Sequence, residues 1–438
     1  MTKTTALLRQ RRFAPLFCTQ MLNAFNDNLF KTTMVLFVVY AVYSSVAAET
    51  QFSALASGAF IIPFFLFSAL AGQLADMRDK AGIIRTVKLC EIGIMTLGAA
   101  GLLIASRGIA VESLAIPLLL VVLFLAGCQS TFLGPIKYAI LPQHLEQDEV
   151  LAGTGLVEAG TYVAILFGTI LAGPLAVDYT DWAAAGIVAT AVIGYLVARQ
   201  VPPAPPMATP EPLDWNIARS SLKLIRATMA EPQVYYAILA ISFFWTIGAV
   251  LFLQFPPLAK NVLMASPSVA SLFLVIFSVG VALGSVGINR LLKSEVSARY
   301  APAAVLVMGL FVIAFYFVVR LWNVDRVELL GLGEFVVQPL TPLLLVSLLG
   351  IAVSGGMFVV PLYAFLTTRV APEQTARTIA ANNIVNSGAM VLGSLIALGL
   401  TMLSVPISEQ LLLSAAMCLV SAMLARRLLG AERAAVRA

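Results

Sequence analysis

The 438 residues predict an all-α membrane protein of twelve transmembrane helices in two six-helix bundles. Three observations predict it. Residues are 60% apolar and only 11% charged; apolar runs near the ~20 residues that cross hydrocarbon recur about a dozen times; and a proline-rich break divides those runs evenly. A chain so poor in polar side chains cannot coat a soluble globule of its size. Barrel strands are a poor alternative, because the runs do not alternate and far exceed the ~10 residues such a strand uses.

The helices are expected near 14–43, 52–75, 83–105, 113–136, 150–175, 182–198, 233–258, 268–290, 301–320, 340–366, 378–403 and 407–426. The basic leader Met1 to Arg12 precedes an apolar run too long and too charged for a cleavable signal, so the first helix is expected to remain as an anchor. Between helices six and seven, Val201-Pro202-Pro203-Ala-Pro205-Pro206 with Pro210 and Pro212 cannot continue a helix and is expected to be extended and solvated. The expected division is a first bundle over 1–198, a linker over 199–232 and a second bundle over 233–438. Within the linker, Trp215 to Met229 sets Arg219, Lys223 and Arg226 beside Leu222, Leu224 and Ile225, the pattern of a short amphipathic helix on the inner membrane surface.

Charge distribution gives the orientation. With the amino terminus in the cytoplasm, only Arg107, Lys260, Arg320 and Arg326 of the 27 Lys and Arg fall on the outer side. Lys31 lies within the membrane, and the remaining bases line the inner ends, so both termini are expected in the cytoplasm. The net charge of +5 therefore reports topology and implies no nucleic-acid partner. Cys18, Cys90, Cys128 and Cys418 lie inside predicted helices without metal-ligand spacing and read as packing residues. His144, the only histidine, falls in the loop Leu141-Pro142-Gln-His144-Leu with no paired nucleophile. No Gly-rich phosphate loop is present. The chain reads as a non-enzyme needing no cofactor.

The halves resemble each other. Tyr138-Ala-Ile-Leu141 recurs 225 positions later as Tyr363-Ala-Phe-Leu366, and Gly168-Thr-Ile-Leu-Ala172 recurs at the same offset as Gly393-Ser-Leu-Ile-Ala397. A duplicated six-helix unit follows, the arrangement in which transporters bind at the repeat interface. At this offset Glu158 corresponds to Asn383.

Ionisable side chains inside the membrane cost several kcal/mol and mark transport pathways. The first helix carries Asn23-Ala-Phe25-Asn26-Asp27-Asn28-Leu-Phe30-Lys31, in which Asp27 and Lys31 share a face at i,i+4 and are each other's expected partners, with Asn23 and Asn26 extending the stripe. A self-satisfied pair that only locks the helix is one reading; five polar side chains in so short a run favour a cavity that meets a polar or zwitterionic ligand. Glu158 lies about 12 Å into the fifth helix with Tyr162 one turn on. Protonation, a structural hydrogen bond or ligand contact each account for such a carboxylate. Asn382, Asn383 and Asn386 cluster on the eleventh helix, where amides either bridge helices or bind substrate.

After the second helix comes Gly72-Gln-Leu-Ala-Asp76-Met-Arg78-Asp79-Lys80-Ala-Gly82, with Arg85, Lys88 and Glu91 on the next helix. The run resembles the signature loop of the major facilitator superfamily, departing at Met77, where the family usually has Arg, and at Asp79, where it usually has Gly. The resemblance implies gating roles for Gly72, Asp76, Arg78, Lys80 and Arg85. Two further segments, Phe25-Asn26-Asp27-Asn28-Leu-Phe30-Lys31 and Gly134-Pro135-Ile-Lys137-Tyr138-Ala-Ile-Leu-Pro142-Gln-His144-Leu, resemble the bacterial lysophospholipid transporter family. That resemblance implies a major facilitator fold in the bacterial inner membrane, moving lysophosphatidylethanolamine and lysophosphatidylglycerol from the outer to the inner leaflet. There an acyl-ACP-dependent acyltransferase restores the missing chain; since the sequence stops at Ala438 after the last helix, the acyltransferase is expected as a separate partner of a monomeric transporter.

The residues fit such a ligand. Lys31 suits its phosphate and Asp27 or Glu158 an ammonium. The substrate-binding set is Asn23, Asn26, Asp27, Asn28, Lys31, Lys137, Tyr138, Glu158, Tyr162, Asn382, Asn383 and Asn386. Phe60, Phe64, Phe65 and Phe67 on the second helix, with Phe243, Phe244, Trp245, Phe252 and Phe255 on the seventh, suit either a lateral opening for the acyl tail or ordinary packing. Two other readings stand beside this one: a proton-coupled exporter of amphipathic drugs or metabolites that uses Asp27 or Glu158 as proton carrier, and a non-transporting scaffold that recruits an acyltransferase.

Overall fold

A computed structural model describes all residues except 1–5, 44–45, 178, 210, 324–327 and 438. Pro210 and Arg326, assigned above to the linker and the outer side, lie outside the described residues, as does the start of the basic leader. Twelve long helices follow in order: α1 (Ala14–Phe37), α2 (Val46–Met77), α3 (Lys80–Ser106), α4 (Ile116–Ala139), α5 (Val150–Val177), α6 (Thr180–Ala198), α7 (Pro232–Asn261), α8 (Pro267–Leu292), α9 (Ala301–Leu321), α10 (Thr341–Thr368), α11 (Thr375–Met402) and α12 (Ile407–Arg437). Eleven of these regions are long and apolar enough to cross a membrane. The exception is α1, whose apolar character is diluted by its own Asn, Asp and Lys stripe. No strand occurs among the described residues.

Local chemistry sets the boundaries. Proline occupies the first turn of α1, α7, α8 and α9, where its missing N–H would find no helical partner anyway. The α2 to α3 connection is very short because Asp79 caps α3, its carboxylate accepting from the N–H groups of Ala81 (3.3 Å) and Gly82 (3.1 Å). Gly72 to Met77, read above as loop, is therefore the last part of α2. His144 likewise lies in a short helix, Leu141–His144, and α12 runs on past the expected end at 426.

The internal duplication is visible in the packing. Helix α6 packs on α1 and α3, and α12 packs on α7 and α9. Gly168 of α5 lies so close to α1 that a Cβ there would meet the Phe25 carbonyl oxygen at 2.6 Å; its counterpart Gly393 of α11 lies against Thr246 of α7. Each repeat thus needs a glycine at the same crossing.

The chain forms two compact units. One comprises Met1–Glu149, Val163–Ile225 and Thr367–Ile384; the other comprises Val150–Tyr162, Arg226–Leu366 and Val385–Ala438. The first half of α5 thus clusters with helices of the second repeat, and the first part of α11 with those of the first.

The linker is extended with Pro203, Pro205, Pro206 and Met207 exposed, as expected, and it is also anchored: Val201 and Ala204 are buried. The Val201 carbonyl accepts from Arg85 (2.8 Å), Ala204 N–H donates to Asp79 (2.7 Å), and Met207 and Ala208 N–H both donate to the Asp76 carbonyl (3.1 Å). Proline leaves this backbone without a helical ladder, so its polar groups find partners on the α2 to α3 turn. The amphipathic helix follows at Ile217–Thr228 with Leu224 buried.

Candidate functional site

Two polar clusters lie within the long helices, one in each unit. In the first, Asp27 on α1 is buried, and its Oδ2 accepts from the Ser130 hydroxyl on α4 and from Asn23 Nδ2 (3.0 Å). Asn23 Oδ1 accepts from Gln129 Nε2 (2.6 Å) and Lys88 Nζ (3.4 Å). Lys88 pairs with Glu91 one turn along α3, with both side chains 0% exposed. Glu91 also accepts from Asn26 Nδ2 (2.8 Å) and Gln129 Nε2 (3.1 Å). Each buried charge in this network has an opposite charge or donors at hydrogen-bonding distance, which offsets a desolvation cost of several kcal/mol.

The expected Asp27 to Lys31 pairing gives way here. Asp27 takes its hydrogen bonds from Asn23 and Ser130, while the Lys31 ammonium lies 5.3 Å from the ring centroid of Phe60 on α2. A carboxylate on a short stem bonds the nearest hydroxyl, whereas the four-carbon stem of lysine carries its charge to the neighbouring helix. Asn28 does not join the network either, since its amide donates to Ala24 O of its own helix (2.8 Å). Lys137 places its ammonium 4.8 Å from the ring centroid of the buried Tyr138.

The second cluster lies in the other unit. Glu158 is 0% exposed, and Tyr162, one turn along α5, stacks on Trp245 of α7 at 6.4 Å between centroids and 12° between planes. Trp245 Nε1 donates to the Tyr363 hydroxyl on α10 (2.8 Å). Asn386 Oδ1 accepts from Ser242 on α7 (2.7 Å), so this amide bridges two helices. Asn382 and Asn383 belong instead to the first unit, where Asn382 is fully buried and Asn383 lies close to Gly134 of α4, at which a Cβ would meet its Nδ2 at 3.0 Å. Phe244 and Phe255 are buried inside the second unit, which removes them from any acyl-tail opening; Phe243, Trp245 and Phe252 remain partly exposed.

Of the residues expected to gate, Gly72 and Asp76 meet α11 at one end of α2. Gly72 lets α11 approach so closely that a Cβ would meet that of Ala380 at 2.6 Å. The buried Asp76 carboxylate accepts from the N–H groups of Ala376 (2.9 Å) and Arg377 (3.0 Å) in the first turn of α11. That geometry is a helix-terminus anion site filled by a side chain. Arg85 and the backbone of Lys80 hold the linker instead, and Arg78 is exposed. His144 donates through Nε2 to Pro203 O (3.4 Å), and burial pushes its imidazole below the ordinary 6.5.

Sequence reasoning missed Lys88, Glu91, Gln129 and Ser130 as members of the membrane-embedded network. The signal was present: Lys88 and Glu91 stand well inside a predicted helix and obey the rule that singled out Asp27, but the neighbouring signature loop absorbed them.

The Major Facilitator Superfamily sequence profile matches residues 16–325. The chain belongs to the major facilitator superfamily. Within it, the chain is 27% identical over 402 residues to the lysophospholipid transporter LplT of Serratia proteamaculans (strain 568), covering 89% of this chain and 88% of that one. It is 26% identical over 397 residues to LplT of Escherichia coli (strain SE11), covering 89% and 88%. Among solved structures, an outward-facing bacterial homologue of the iron transporter ferroportin superposes with a TM-score of 0.72 at 13% identity, over 96% of this chain and 99% of that one. The proton:xylose symporter XylE superposes with a TM-score of 0.66 at 12% identity, over 96% and 95%. Those likenesses establish the fold: a multi-pass facilitator whose relatives are transporters.

Proposed function

We propose that this facilitator is a lysophospholipid flippase. It moves lysophosphatidylethanolamine and lysophosphatidylglycerol from the outer to the inner leaflet of the bacterial inner membrane by alternating access, with both termini cytoplasmic. The observation that carries the reading is the similarity to LplT proteins over 89% of the chain. The chemistry agrees with it. The half-buried Lys31 suits a lipid phosphate, the carboxylates suit an ammonium, and Phe60 and its neighbours on α2 suit an acyl chain. The transporter acts as a monomer, and a separate acyl-ACP-dependent acyltransferase consumes its product.

Proton-coupled export of amphipathic compounds is a second reading, favoured by one observation: Asp27 and Glu91 both engage the network around Lys88. Headgroup competition in proteoliposomes, with and without an imposed proton gradient, separates the two. Lyso-lipid flipping that persists after collapse of the gradient supports the flippase. Strict gradient dependence supports the exporter, and absence of all flipping by the purified chain leaves a scaffold.

A further inference from the structure

Lys88 and Glu91 do more than neutralise each other, because an ammonium only donates hydrogen bonds and an ionised carboxylate only accepts them. Lys88 Nζ therefore meets the oxygen end of the Asn23 amide (3.4 Å), and Glu91 meets the nitrogen ends of Gln129 (3.1 Å) and Asn26 (2.8 Å). Turned this way, Gln129 Nε2 donates to Asn23 Oδ1 as well (2.6 Å). Two donors on its oxygen leave Asn23 one sense only, with Nδ2 directed at Asp27 Oδ2 (3.0 Å). The Ser130 hydroxyl donates to that same Oδ2, while Asp27 Oδ1 is buried with no hydrogen-bond partner among the described residues. All these side chains lie in one compact unit and, apart from the half-buried Ser130, are buried. The polarity of the ion pair on α3 thus reaches the carboxylate on α1 through a single amide.

We infer that Lys88, Glu91 and Gln129 are positioning residues that hold the Asn23 amide with its N–H toward Asp27, so that the Asp27 carboxylate is fixed through Oδ2 and offers Oδ1 to a donor on the ligand. The inference rests on the reading of Asp27 as a contact for the ethanolamine ammonium and deepens it: transport depends on the direction of the α3 ion pair, not only on its presence. A pair that merely ties helices together works equally well in either direction. Asn23, Asn26 and Gln129 each carry a donor end and an acceptor end and so can turn over to satisfy a reversed pair, whereas Asp27 only accepts.

The test reverses the pair in the full chain. In the Lys88→Glu, Glu91→Lys variant the pair and its bonds to the amides re-form in the opposite sense, so insertion and the unfolding midpoint in detergent should stay parental, while Asn23 turns its carbonyl oxygen to Asp27. Lysophosphatidylethanolamine flux in proteoliposomes is expected to fall about tenfold, the order that loss of a hydrogen bond to a charged group carries. Flux within about twofold of the parent in the reversed pair overturns the inference. If the reversed pair does not fold, Asn23→Asp decides: it keeps an acceptor toward Lys88 and Gln129 but loses the donor to Asp27. Its flux is expected to be low at about pH 8 and to recover at about pH 5, where the two carboxylates share a proton that restores the donor; a pH profile parallel to the parental one overturns the inference. An infrared measurement in detergent needs no transport. The Asp27 carboxylate band, assigned by its loss in Asp27→Asn, is expected to shift in either variant, and an unshifted band overturns the positioning role. Failure of the unmodified chain to flip lipid sinks the transport reading alone, because the infrared band still decides the positioning.

Discussion

Lys88 and Glu91 form an ion pair on α3 with both side chains excluded from solvent, and the same two residues bind the amides of Asn23, Asn26 and Gln129. The pair therefore joins α1, α3 and α4 in one polar network. Removing one member leaves an uncompensated charge where water is absent. Lys88→Met is expected to cost about 3–5 kcal/mol, and the Lys88→Met, Glu91→Leu double variant to recover most of that loss. Denaturation of the purified protein in detergent measures both; a single variant as stable as the parent would show that Glu91 is satisfied without Lys88.

Asp27→Asn keeps the size of the side chain and removes its charge. Insertion and yield should be retained, while lysophospholipid flux falls at least about tenfold, the equivalent of ~1.4 kcal/mol of lost stabilisation. Flux at the parental level would remove Asp27 from the mechanism.

Asp76→Ala deletes the acceptor for the Ala376 and Arg377 N–H groups. A buried donor at Ala376 and a part-buried one at Arg377 lose their partner, the buried one at ~1–3 kcal/mol, so the contact between α2 and the start of α11 should open. Cysteines placed at Gln73 and Arg377 should form a disulfide more slowly in this variant than in the Asp76 parent. Unchanged rates would show that the tight crossing at Gly72 holds the helices by itself.

His144 makes linker docking sensitive to pH. Burial holds the imidazole of the docked form below 6.5, outweighing the hydrogen bond to Pro203 O that favours the protonated ring. The undocked segment binds a proton near 6.5 and the docked one only at lower pH, so docking has its full stability above 6.5 and loses it as pH falls from about 6.5 toward the lower value. A spin label at position 208 should gain mobility between pH 7.5 and 5, and His144→Gln, which keeps a donor for Pro203, should remove that response. Identical pH profiles in the two proteins would assign the effect elsewhere.

Composition and run length alone determine that this chain spans a membrane about twelve times, because only an unbroken apolar helix satisfies its backbone inside hydrocarbon. The same reasoning located Asp27, Lys31 and Glu158, whose desolvation cost is a local property that needs no fold to be noticed. Partners were a different matter. That Asp27 meets Ser130 while Lys31 reaches Phe60, that Lys88 and Glu91 anchor a network across three helices, and that the proline-rich linker docks on Asp76 and Asp79 all depend on which helices become neighbours. The tertiary structure decided those pairings, since a hydrogen bond forms over about 3 Å and the residues concerned stand tens to hundreds of positions apart along the chain.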